Sequence, residues 1–448
     1  MSFSTCSAGA LPGPDFCFIF APGGYDEPEI LPPQNPPVCL TGPDGEQKST
    51  FPISLSLPLR EDRYLGTAVT NVFDNLLPDS EPIRKRVAER VGAAGTDAYS
   101  MLSALGHDCV GALQFLPEGI EAGRAGAIDG KHISNDGIAE IIANLATAPL
   151  GLGEDDAFRI SIAGAQEKTA LLRREGKWYT PAGTTATTHI LKPQIGRLPN
   201  GGDLSNSVEN EYFCLKLLAR LGIPTAHAEM ADFGGRRTLV VQRFDRLWTA
   251  DKRLLRLPQE DCCQALSIAP TRKYQSEGGP GLKEILELLK GSDVPGEDLA
   301  TFMRAAIVFW LIGATDGHAK NFSIFLTPGG RFQLTPLYDV LSAQPSLDAR
   351  QIQPKAFKLA MSVGKSRHYT VNEILPRHFL QTADLSKVIS QASVRTLFID
   401  LVSRFEEAFD EVTKGLPKSF PKDLTTSIRA AALHRIELIK DELKRNQH

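Results

Sequence analysis

The chain has 448 residues, of which 42% are hydrophobic and 23% charged, and its formal net charge is −4. This length exceeds what one compact core supports and indicates two packed domains. The composition is that of an ordinary soluble globular protein. The mildly acidic charge argues against a protein that coats nucleic acid through bulk electrostatics.

The seven cysteines are odd in number and irregularly spaced, which indicates neither a disulfide framework nor a metal-binding pattern. Reduced thiols in a cytosolic protein are the simplest interpretation. The longest apolar run, 305–314, has ten residues, about half of what spans a bilayer, and predicts a buried helix. Because the first residues lack the features of a secretory signal, we expect a cytoplasmic protein with no membrane contact.

The first half of the chain reads as mainly β. Residues 1–50 are rich in proline and glycine and show little periodicity, which is typical of loop or disordered segments. The alternation in 52–59 predicts a strand, and helices are expected at 71–77 and 81–91. Between residues 159 and 257, one amphipathic helix at 208–221 interrupts short runs that predict strands in FRISIAG, KTALLR, KWYT, THILK, AEMADF, TLVVQRF and RLLRL.

After Pro258 the pattern becomes helical. A period near 3.6 residues predicts helices at 283–289, 299–315, 384–412 and 424–444, with short strands at 322–326 and 332–335. We therefore predict an α+β fold in three parts. These are a poorly patterned N-terminal segment (1–50), an α/β N-terminal domain (51–257) and an α-helical C-terminal domain (258–448).

The strongest functional signal is TDGHAKNF, residues 315–322, which follows the apolar run. Asp316 and Asn321 have the spacing of the Asp and Asn in a protein-kinase catalytic loop. There the Asp accepts the proton of the attacking hydroxyl and the Asn binds Mg²⁺. Asp339, in LTPLYDV, suits a second Mg²⁺ ligand. The pattern predicts a Mg²⁺- and ATP-dependent phosphotransferase with Asp316 as its catalytic base.

Phosphate groups also require a cation and backbone donors. Lys192 ends the run THILK, as a lysine ends the kinase motif V-A-I-K, where it neutralises the phosphates. The small-residue turn in SIAGAQEK, 161–168, is typical of a loop that presents N–H groups to phosphate oxygens. VVQRFDR ends a strand where the chain changes from β to α, as a kinase hinge does. Gln242 and Phe244 would there offer main-chain groups to adenine.

Each element taken singly has a simpler interpretation. The Asp-to-Asn spacing also arises by chance, Lys192 could be a solvated lysine at a strand end, and Gly164 could occupy a plain turn. His318 is better interpreted as a packing residue than as a metal ligand, because no second His or Cys has ligand spacing. The order of turn, lysine, helix, hinge-like strand, Asp/Asn loop and final Asp favours the catalytic interpretation.

With these features together, the chain resembles the HipA-type serine/threonine kinases of bacterial toxin–antitoxin systems. The resemblance extends over residues 51–448. It is carried, in order, by SLSLPL (54–59), FDNLLPDS (73–80), SIAGAQEKTALL (161–172), TTHILK (187–192), ENEYFCL (209–215), QRFDR (242–246), LPQEDCCQ (257–264), GGPG (278–281), WLIGATDGHAKNFS (310–323), LTPLYD (334–339) and PRHFL (376–380).

The resemblance implies an atypical bilobal protein-kinase-like fold, with an α/β N-terminal lobe and a mainly helical C-terminal lobe. It implies Asp316 as base and Asn321 and Asp339 as Mg²⁺ ligands. Ser161 matches a serine that relatives autophosphorylate, which would switch the enzyme off by adding about two negative charges beside the ATP phosphates; the simpler interpretation is a strand-end serine. The residues implied to line the ATP site are Ala163, Gly164, Ala165, Gln166, Glu167, Lys168, Lys192, Gln242, Arg243, Phe244, His318, Ala319, Lys320, Asn321, Tyr338 and Asp339.

The resemblance also implies partners. Relatives pair with a small DNA-binding HipB-like antitoxin, and the complex represses its own operon. Their substrates are aminoacyl-tRNA synthetases, notably glutamate–tRNA ligase, whose phosphorylation stalls translation and promotes persistence. Two departures leave the antitoxin surface and direct operator contact open. Residues 1–50 differ from the usual family opening. Asp384 stands where relatives carry a basic residue, and an acidic side chain at this place would repel DNA phosphates.

Two other functions stay open at this point. The first is a catalytically idle protein that binds an antitoxin or acts as a co-repressor, against which the intact Lys192, Asp316, Asn321 and Asp339 argue. The second is a kinase of small molecules or lipid head groups, because distant kinase relatives share the same loop spacing. The absence of a basic membrane-facing run weakens the lipid version.

Overall fold

The computed structural model describes residues 51–60, 64–116, 124–146, 149–151, 166–197 and 202–445, and the backbone of three short strands before residue 50. The described helices are α1 Thr67–Asp74, α2 Glu81–Val91, α3 Ala98–Leu105, α4 Asn135–Ala143, α5 Ser207–Arg220, α6 Cys262–Ala265, α7 Leu282–Leu289, α8 Pro295–Ile312, α9 Gln344–Asp348, α10 Pro376–Ser386, α11 Gln391–Lys414 and α12 Lys422–Arg445.

The described strands are mostly short and belong to several small sheets and one large one. They are β1 Cys17–Phe18, β2 Leu40–Thr41, β3 Gln47–Lys48, β4 Phe115–Leu116, β5 Gly130–Ile133, β6 Thr169–Arg174, β7 Lys177–Pro181, β8 His189–Pro193, β9 Gly196–Arg197, β10 Asp203–Leu204, β11 Ala228–Phe233, β12 Arg236–Gln242, β13 Arg246–Trp248, β14 Leu254–Arg256, β15 Gln259–Asp261, β16 Ser323–Thr327, β17 Arg331–Leu334, β18 Lys358–Val363 and β19 His368–Thr370.

The chain forms two compact units that alternate along the sequence. The first unit consists of Met1–Pro193, Ala231–Thr271 and Ile324–Phe332. The second unit consists of Gln194–Met230, Arg272–Ser323 and Gln333–His448. The domain boundary that the sequence predicts between residues 257 and 258 stays a prediction.

The largest sheet has six strands in the order β11-β12-β8-β6-β7-β5. The pairs β12–β8, β8–β6, β6–β7 and β7–β5 are antiparallel. One hydrophobic cluster packs this sheet against α1–α4; it includes Val72, Val87, Leu102, Ile138 and Leu191. Burial of such side chains contributes about 1.5–3 kcal/mol each, so this cluster stabilises the first unit.

The predicted strand at 52–59 is wrong. These residues form a turn that contains an isolated bridge between Ser54 and Leu57. The Leu55 backbone N–H donates to Oε1 of the buried Glu260 at 2.8 Å, and Ser56 Oγ donates to the Gln264 carbonyl at 2.7 Å. The alternation resembles a strand because it places apolar side chains in the core. The Leu55 N–H, however, bonds to the Glu260 side chain and the Ser56 hydroxyl bonds to the Gln264 carbonyl, so the segment does not pair with a strand.

The other strand predictions within the described residues are confirmed. KTALLR, KWYT, THILK, AEMADF, TLVVQRF and RLLRL form β6, β7, β8, β11, β12 and β14, and the two strands predicted after residue 320 form β16 and β17. FRISIAG lies outside the described residues. The helix predicted at 81–91 is α2, and those at 71–77, 208–221, 283–289, 299–315 and 424–444 correspond to α1, α5, α7, α8 and α12 with shifted ends.

The second unit is mainly helical and is built around α8, which contacts α7, α11 and α12. Phe302, Ile307, Trp310 and Leu311 of α8 are fully buried, as expected for a helix that is apolar on all sides. The prediction that the apolar run forms a buried helix is confirmed. Within the described part of the chain, no helix combines the length and apolar character needed to cross a bilayer.

The single helix predicted at 384–412 is wrong, because two helices occupy this region. α10 ends at Ser386 and is followed by Lys387, which has a left-handed φ of 57°, and α11 begins after Ser390. The Ser390 hydroxyl accepts a hydrogen bond from the Ser393 backbone N–H at 3.0 Å. This N-cap stabilises a new helix start, which apolar periodicity alone does not reveal.

Candidate active site

The Asp/Asn loop, residues 315–322, follows the C-terminal end of α8 and is closed by its own hydrogen bonds. The backbone N–H of His318 donates to the Asp316 carbonyl at 2.8 Å, and that of Asn321 donates to the His318 carbonyl at 2.9 Å. The Asn321 side-chain amide also donates to the Asp316 carbonyl at 2.8 Å. One tight turn therefore holds the predicted base and the predicted metal ligand together.

Gly317 fits the Asp/Asn loop closely onto α8. A Cβ atom at this position would lie 2.5 Å from two ring carbons of Phe309, a residue of α8. Any side chain here would therefore push the loop away from the helix. The Asp316 side chain nevertheless stays 58% exposed. Its carboxylate is therefore accessible, although the adjacent backbone packs against α8.

Two aromatic rings lie beside the Asp316 carboxylate. The His318 side chain is 4% exposed, and its Nε2 lies 3.9 Å from Asp316 Oδ1. The His318 ring packs edge-to-face on Tyr274, with ring centroids 4.9 Å apart. Tyr274 Oη donates to Asp316 Oδ1 at 2.5 Å. The sequence analysis did not identify Tyr274; the one available signal is its position four residues before the GGPG stretch.

Tyr338, the residue before Asp339, reaches the same loop from another segment. Tyr338 Oη lies 2.6 Å from Ser323 Oγ and donates to the Lys320 carbonyl at 3.0 Å. The preceding residue, Leu337, forms a parallel bridge with Thr225. Asp339 itself has a left-handed φ of 59°, a strained conformation of the kind that clusters at functional sites.

The oxygen donors at this site fit Mg²⁺. Because the Asn321 amide nitrogen donates to the Asp316 carbonyl, the Asn321 side-chain oxygen is the atom that could face a cation, and Asp339 is predicted to supply a carboxylate. Mg²⁺ commonly takes one or two protein oxygen ligands together with phosphate oxygens and water. In the described ranges, no cluster of three or more His, Cys, Asp or Glu side chains forms a separate metal cage.

The residues predicted to bind phosphates belong to the first unit. Lys192 lies within β8 opposite Leu239 of β12 and is 7% exposed, so it is a buried lysine rather than a solvated one. Lys168 is also buried. The Gln166 side-chain amide donates to the Pro193 carbonyl at 3.2 Å, and Glu167 pairs with Arg86. Ser161, Ala163, Gly164 and Ala165 lie outside the described residues.

The hinge-like segment has an exposed Gln242 and a half-buried Phe244. Gln242 ends β12 opposite His189, and the Phe244 ring packs edge-to-face on Phe325 with centroids 5.7 Å apart. Arg243 lies between them with its side chain buried. In this segment, therefore, the Gln242 side chain faces solvent, whereas the Arg243 side chain lies in the interior of the unit.

Arg243 belongs to a buried ion cluster, which consists of Asp108, Arg243, Asp245, Arg246 and Arg256. Its guanidinium binds both oxygens of Asp245 and approaches Asp108 to 3.3 Å. Because these partners occupy the guanidinium, a contact of Arg243 with a nucleotide would have to use its main chain. Burial by itself would raise the pKa of Asp108, but the three facing guanidiniums lower this pKa by more than burial raises it. The net pKa lies below its ordinary value, so this carboxyl is ionised at neutral pH.

The predicted residues therefore fall into two sets. Asp316, His318, Ala319, Lys320, Asn321, Tyr338 and Asp339 belong to the second unit. Gln166, Glu167, Lys168, Lys192, Gln242, Arg243 and Phe244 belong to the first unit. Their convergence on one nucleotide stays a prediction.

Comparison with known proteins identifies relatives of this chain. The family model described as HipA-like C-terminal domain matches residues 160–414, and the HipA N-terminal domain model matches residues 43–116. The Y4mE protein of Sinorhizobium fredii is 39% identical over 71% of this chain and 74% of its own length. The serine/threonine-protein kinase toxin HipA of Shewanella oneidensis is 28% identical over 71% of each chain.

A solved structure shows the same fold. One chain from the HipA, HipB and operator DNA complex of Shewanella oneidensis aligns with a TM-score of 0.72 and 23% identity, covering 88% of this chain and 91% of that chain. The mixed helices and sheets are therefore those of an atypical, kinase-like α+β fold. The chain belongs to the HipA family, because the C-terminal-domain model alone spans more than half of its residues.

Proposed function

We propose that this chain is a Mg²⁺- and ATP-dependent serine/threonine-protein kinase and the toxin of a type II toxin–antitoxin pair. The observation that carries this proposal is the Asp/Asn loop, in which one 2.8 Å hydrogen bond ties Asn321 to the backbone of the exposed Asp316. Family membership supports a kinase, and the HipA relative at 28% identity supports serine/threonine specificity.

In the proposed reaction, Asp316 accepts the proton of a serine or threonine hydroxyl. The hydroxyl oxygen attacks the γ-phosphorus of ATP, and ADP leaves. General-base catalysis of this kind contributes about 10²–10⁴-fold to the rate. Mg²⁺, when bound, offsets the negative charge of the β- and γ-phosphates. Asn321 and Asp339 would hold this ion, Lys192 would neutralise phosphate charge, and the main chain at Gln242–Phe244 would bind adenine.

The proposal extends to the biological setting. The protein substrate is an aminoacyl-tRNA synthetase such as glutamate–tRNA ligase, whose phosphorylation in the cytoplasm inhibits translation and promotes growth arrest and persistence. The partner is a HipB-like antitoxin, through which the chain reaches operator DNA. Support comes from the fold shared with a chain of a HipA, HipB and operator DNA complex. Autophosphorylation at Ser161 would switch the enzyme off.

A phosphoproteome comparison tests the proposed function. Cells expressing the wild-type chain should contain serine or threonine phosphosites, including sites on a synthetase, that are absent with Asp316→Asn. Purified wild-type protein should carry phosphate on Ser161, again absent in Asp316→Asn. Asp423→Asn, at an exposed position in α12, is the matched control and should behave like wild type. Equal phosphorylation by wild type and Asp316→Asn would refute the proposal.

A further inference from the structure

The hydroxyl of Tyr274 contacts the proposed catalytic base directly. Tyr274 Oη lies 2.5 Å from Asp316 Oδ1, a length typical of a strong hydrogen bond to a carboxylate. Asp316 is 58% exposed, and an exposed side chain of this type ordinarily populates several rotamers. A strong donor on one carboxylate oxygen restricts that choice.

The segment that presents Tyr274 is tightly folded on itself. We call it the Tyr274 loop, residues 272–281. The Gly279 backbone N–H donates to the Tyr274 carbonyl at 3.0 Å, and the Arg272 guanidinium donates to the Gly278 carbonyl at 2.9 Å. A Cβ atom on Gly279 would lie 2.0 Å from the Arg272 carbonyl oxygen. Only glycine permits this approach of backbone to backbone.

Neighbouring elements anchor the Tyr274 loop on two sides. The Ser362 backbone N–H in β18 donates to Gln275 Oε1 at 2.7 Å. The Gly281 backbone N–H donates to Glu284 Oε2 at 2.9 Å, which joins the end of the loop to the first turn of α7. The His318 ring packs against the Tyr274 ring from the Asp/Asn loop. The Tyr274 loop is thus anchored to β18 through Gln275 and to α7 through Gly281, and the Tyr274 ring contacts the Asp/Asn loop.

We propose that Tyr274 is a positioning residue for phosphoryl transfer, whose hydroxyl holds the Asp316 carboxylate in the orientation that accepts the proton. This inference rests on the proposed role of Asp316 as the base. A hydroxyl that merely blocked the acceptor would have to be displaced in each turnover. A loop anchored through Gln275 and Gly281 favours a fixed support instead, and a pre-oriented base avoids an orientational loss at the reacting centre.

Tyr274→Phe tests this role because it removes the hydroxyl and keeps the ring that packs on His318. Tyr179→Phe is the matched control, since Tyr179 also packs edge-to-face on a histidine, His132, with centroids 5.7 Å apart. With full-length protein, Mg·ATP and dephosphorylated casein as the hydroxyl acceptor, we expect kcat for ADP formation to fall about tenfold in Tyr274→Phe, as for loss of a hydrogen bond to a charged group. The KM for ATP and the Tm should not change.

A second pair of variants tests the anchor. Gln275→Ala removes the oxygen that receives the Ser362 N–H and should lower kcat, whereas Gln275→Glu keeps an acceptor oxygen and should restore it. An unchanged or increased kcat in Tyr274→Phe would overturn the inference while leaving the proposed kinase intact. Wild-type protein that forms no ADP would overturn the proposed function itself. The two failures are therefore distinguishable.

Discussion

Asp339 joins a proposed metal-binding role to a backbone conformation that few side chains adopt. Its φ of 59° lies in the left-handed region, where Asn and Asp are enriched several-fold among residues other than glycine. The residue type is therefore constrained twice, by its carboxylate and by its backbone. Substitutions that change one constraint at a time separate chemistry from folding.

We predict that Asp339→Asn and Asp339→Ala both abolish Mg²⁺-dependent incorporation of labelled phosphate, because both remove the carboxylate. Asp339→Ala should also lower the free energy of unfolding by about 1–2 kcal/mol, since alanine is disfavoured in the left-handed region. Asp339→Asn should stay within about 0.5 kcal/mol of wild type. Denaturant unfolding measures the difference. Wild-type-like incorporation by Asp339→Ala would exclude Asp339 as a ligand.

Glu260 is a second residue in an unusual setting. Its side chain is buried, and Oε1 accepts the Leu55 backbone N–H at 2.8 Å. Burial raises the pKa of Glu260 to about 8. The folded state therefore keeps a proton that the unfolded chain releases near the ordinary pKa of a glutamate.

This shift predicts that stability falls as pH rises. Between the ordinary glutamate pKa of about 4.3 and a folded pKa of about 8, the folded state binds more protons, so the free energy of unfolding should decrease by up to about 1.4 kcal/mol per pH unit. Glu260→Gln should flatten this dependence, whereas Glu373→Gln at an exposed position should not. Urea unfolding from pH 5 to 8 provides the measurement. A slope unchanged in Glu260→Gln would contradict the prediction.

At the scale of elements, the buried ion cluster fixes the end of β12 to the rest of the first unit. Arg243 and Arg246 each bind both Asp108 and Asp245, and Asp108 precedes them by more than 130 residues. All of these side chains are at most 5% exposed. Removing one partner would leave an uncompensated buried charge, which is more costly than losing an exposed ion pair.

We predict that Arg243→Met lowers the free energy of unfolding by about 3–5 kcal/mol. Arg236→Met, at an exposed arginine that begins β12, should change it by less than about 0.5 kcal/mol. Chemical denaturation of both variants tests this difference. Similar midpoints for the two variants would show that the cluster does not stabilise the unit.

Elements with a clear period were predictable, and those defined by distant contacts were not. α2 and the strands β6, β7, β8, β11, β12 and β14 follow from apolar spacing, because burial and local pattern agree there. The turn at 52–59 depends on Glu260 and Gln264, about 200 residues later. The division between α10 and α11 depends on one N-cap at Ser390 and one left-handed residue, Lys387.

The candidate site shows the same division. Asp316 and Asn321 lie within one short loop whose spacing carries known chemistry, so a linear pattern predicts them. Tyr274 approaches Asp316 from 42 residues earlier. No spacing rule connects the two, because the contact depends on how the Tyr274 loop folds. The buried ion cluster around Arg243 was likewise not predictable from spacing. The sequence indicated only a main-chain role for that segment.

At the scale of the whole molecule, family membership and an intact Asp/Asn loop favour an active toxin over an idle antitoxin-binding protein. We predict that expression of the wild-type chain arrests growth and that Asp316→Asn relieves the arrest at equal protein level, because arrest requires phosphoryl transfer. Asp423→Asn should still arrest growth. Culture density measures the growth arrest, and immunoblotting measures the protein level. Arrest by Asp316→Asn equal to wild type would indicate titration of a partner instead of catalysis.

The alternation of the two units along the chain affects how a nascent polypeptide can fold on the ribosome. Domains generally fold as units during synthesis, but the first unit here includes Ile324–Phe332. Two strands of its three-stranded sheet, β16 and β17, emerge only after the Asp/Asn loop. The first unit therefore cannot mature before the Asp/Asn loop has been translated. For a protein proposed to stall translation, this order would delay activity until late in its own synthesis, and chains terminated before residue 339 lack Asp339.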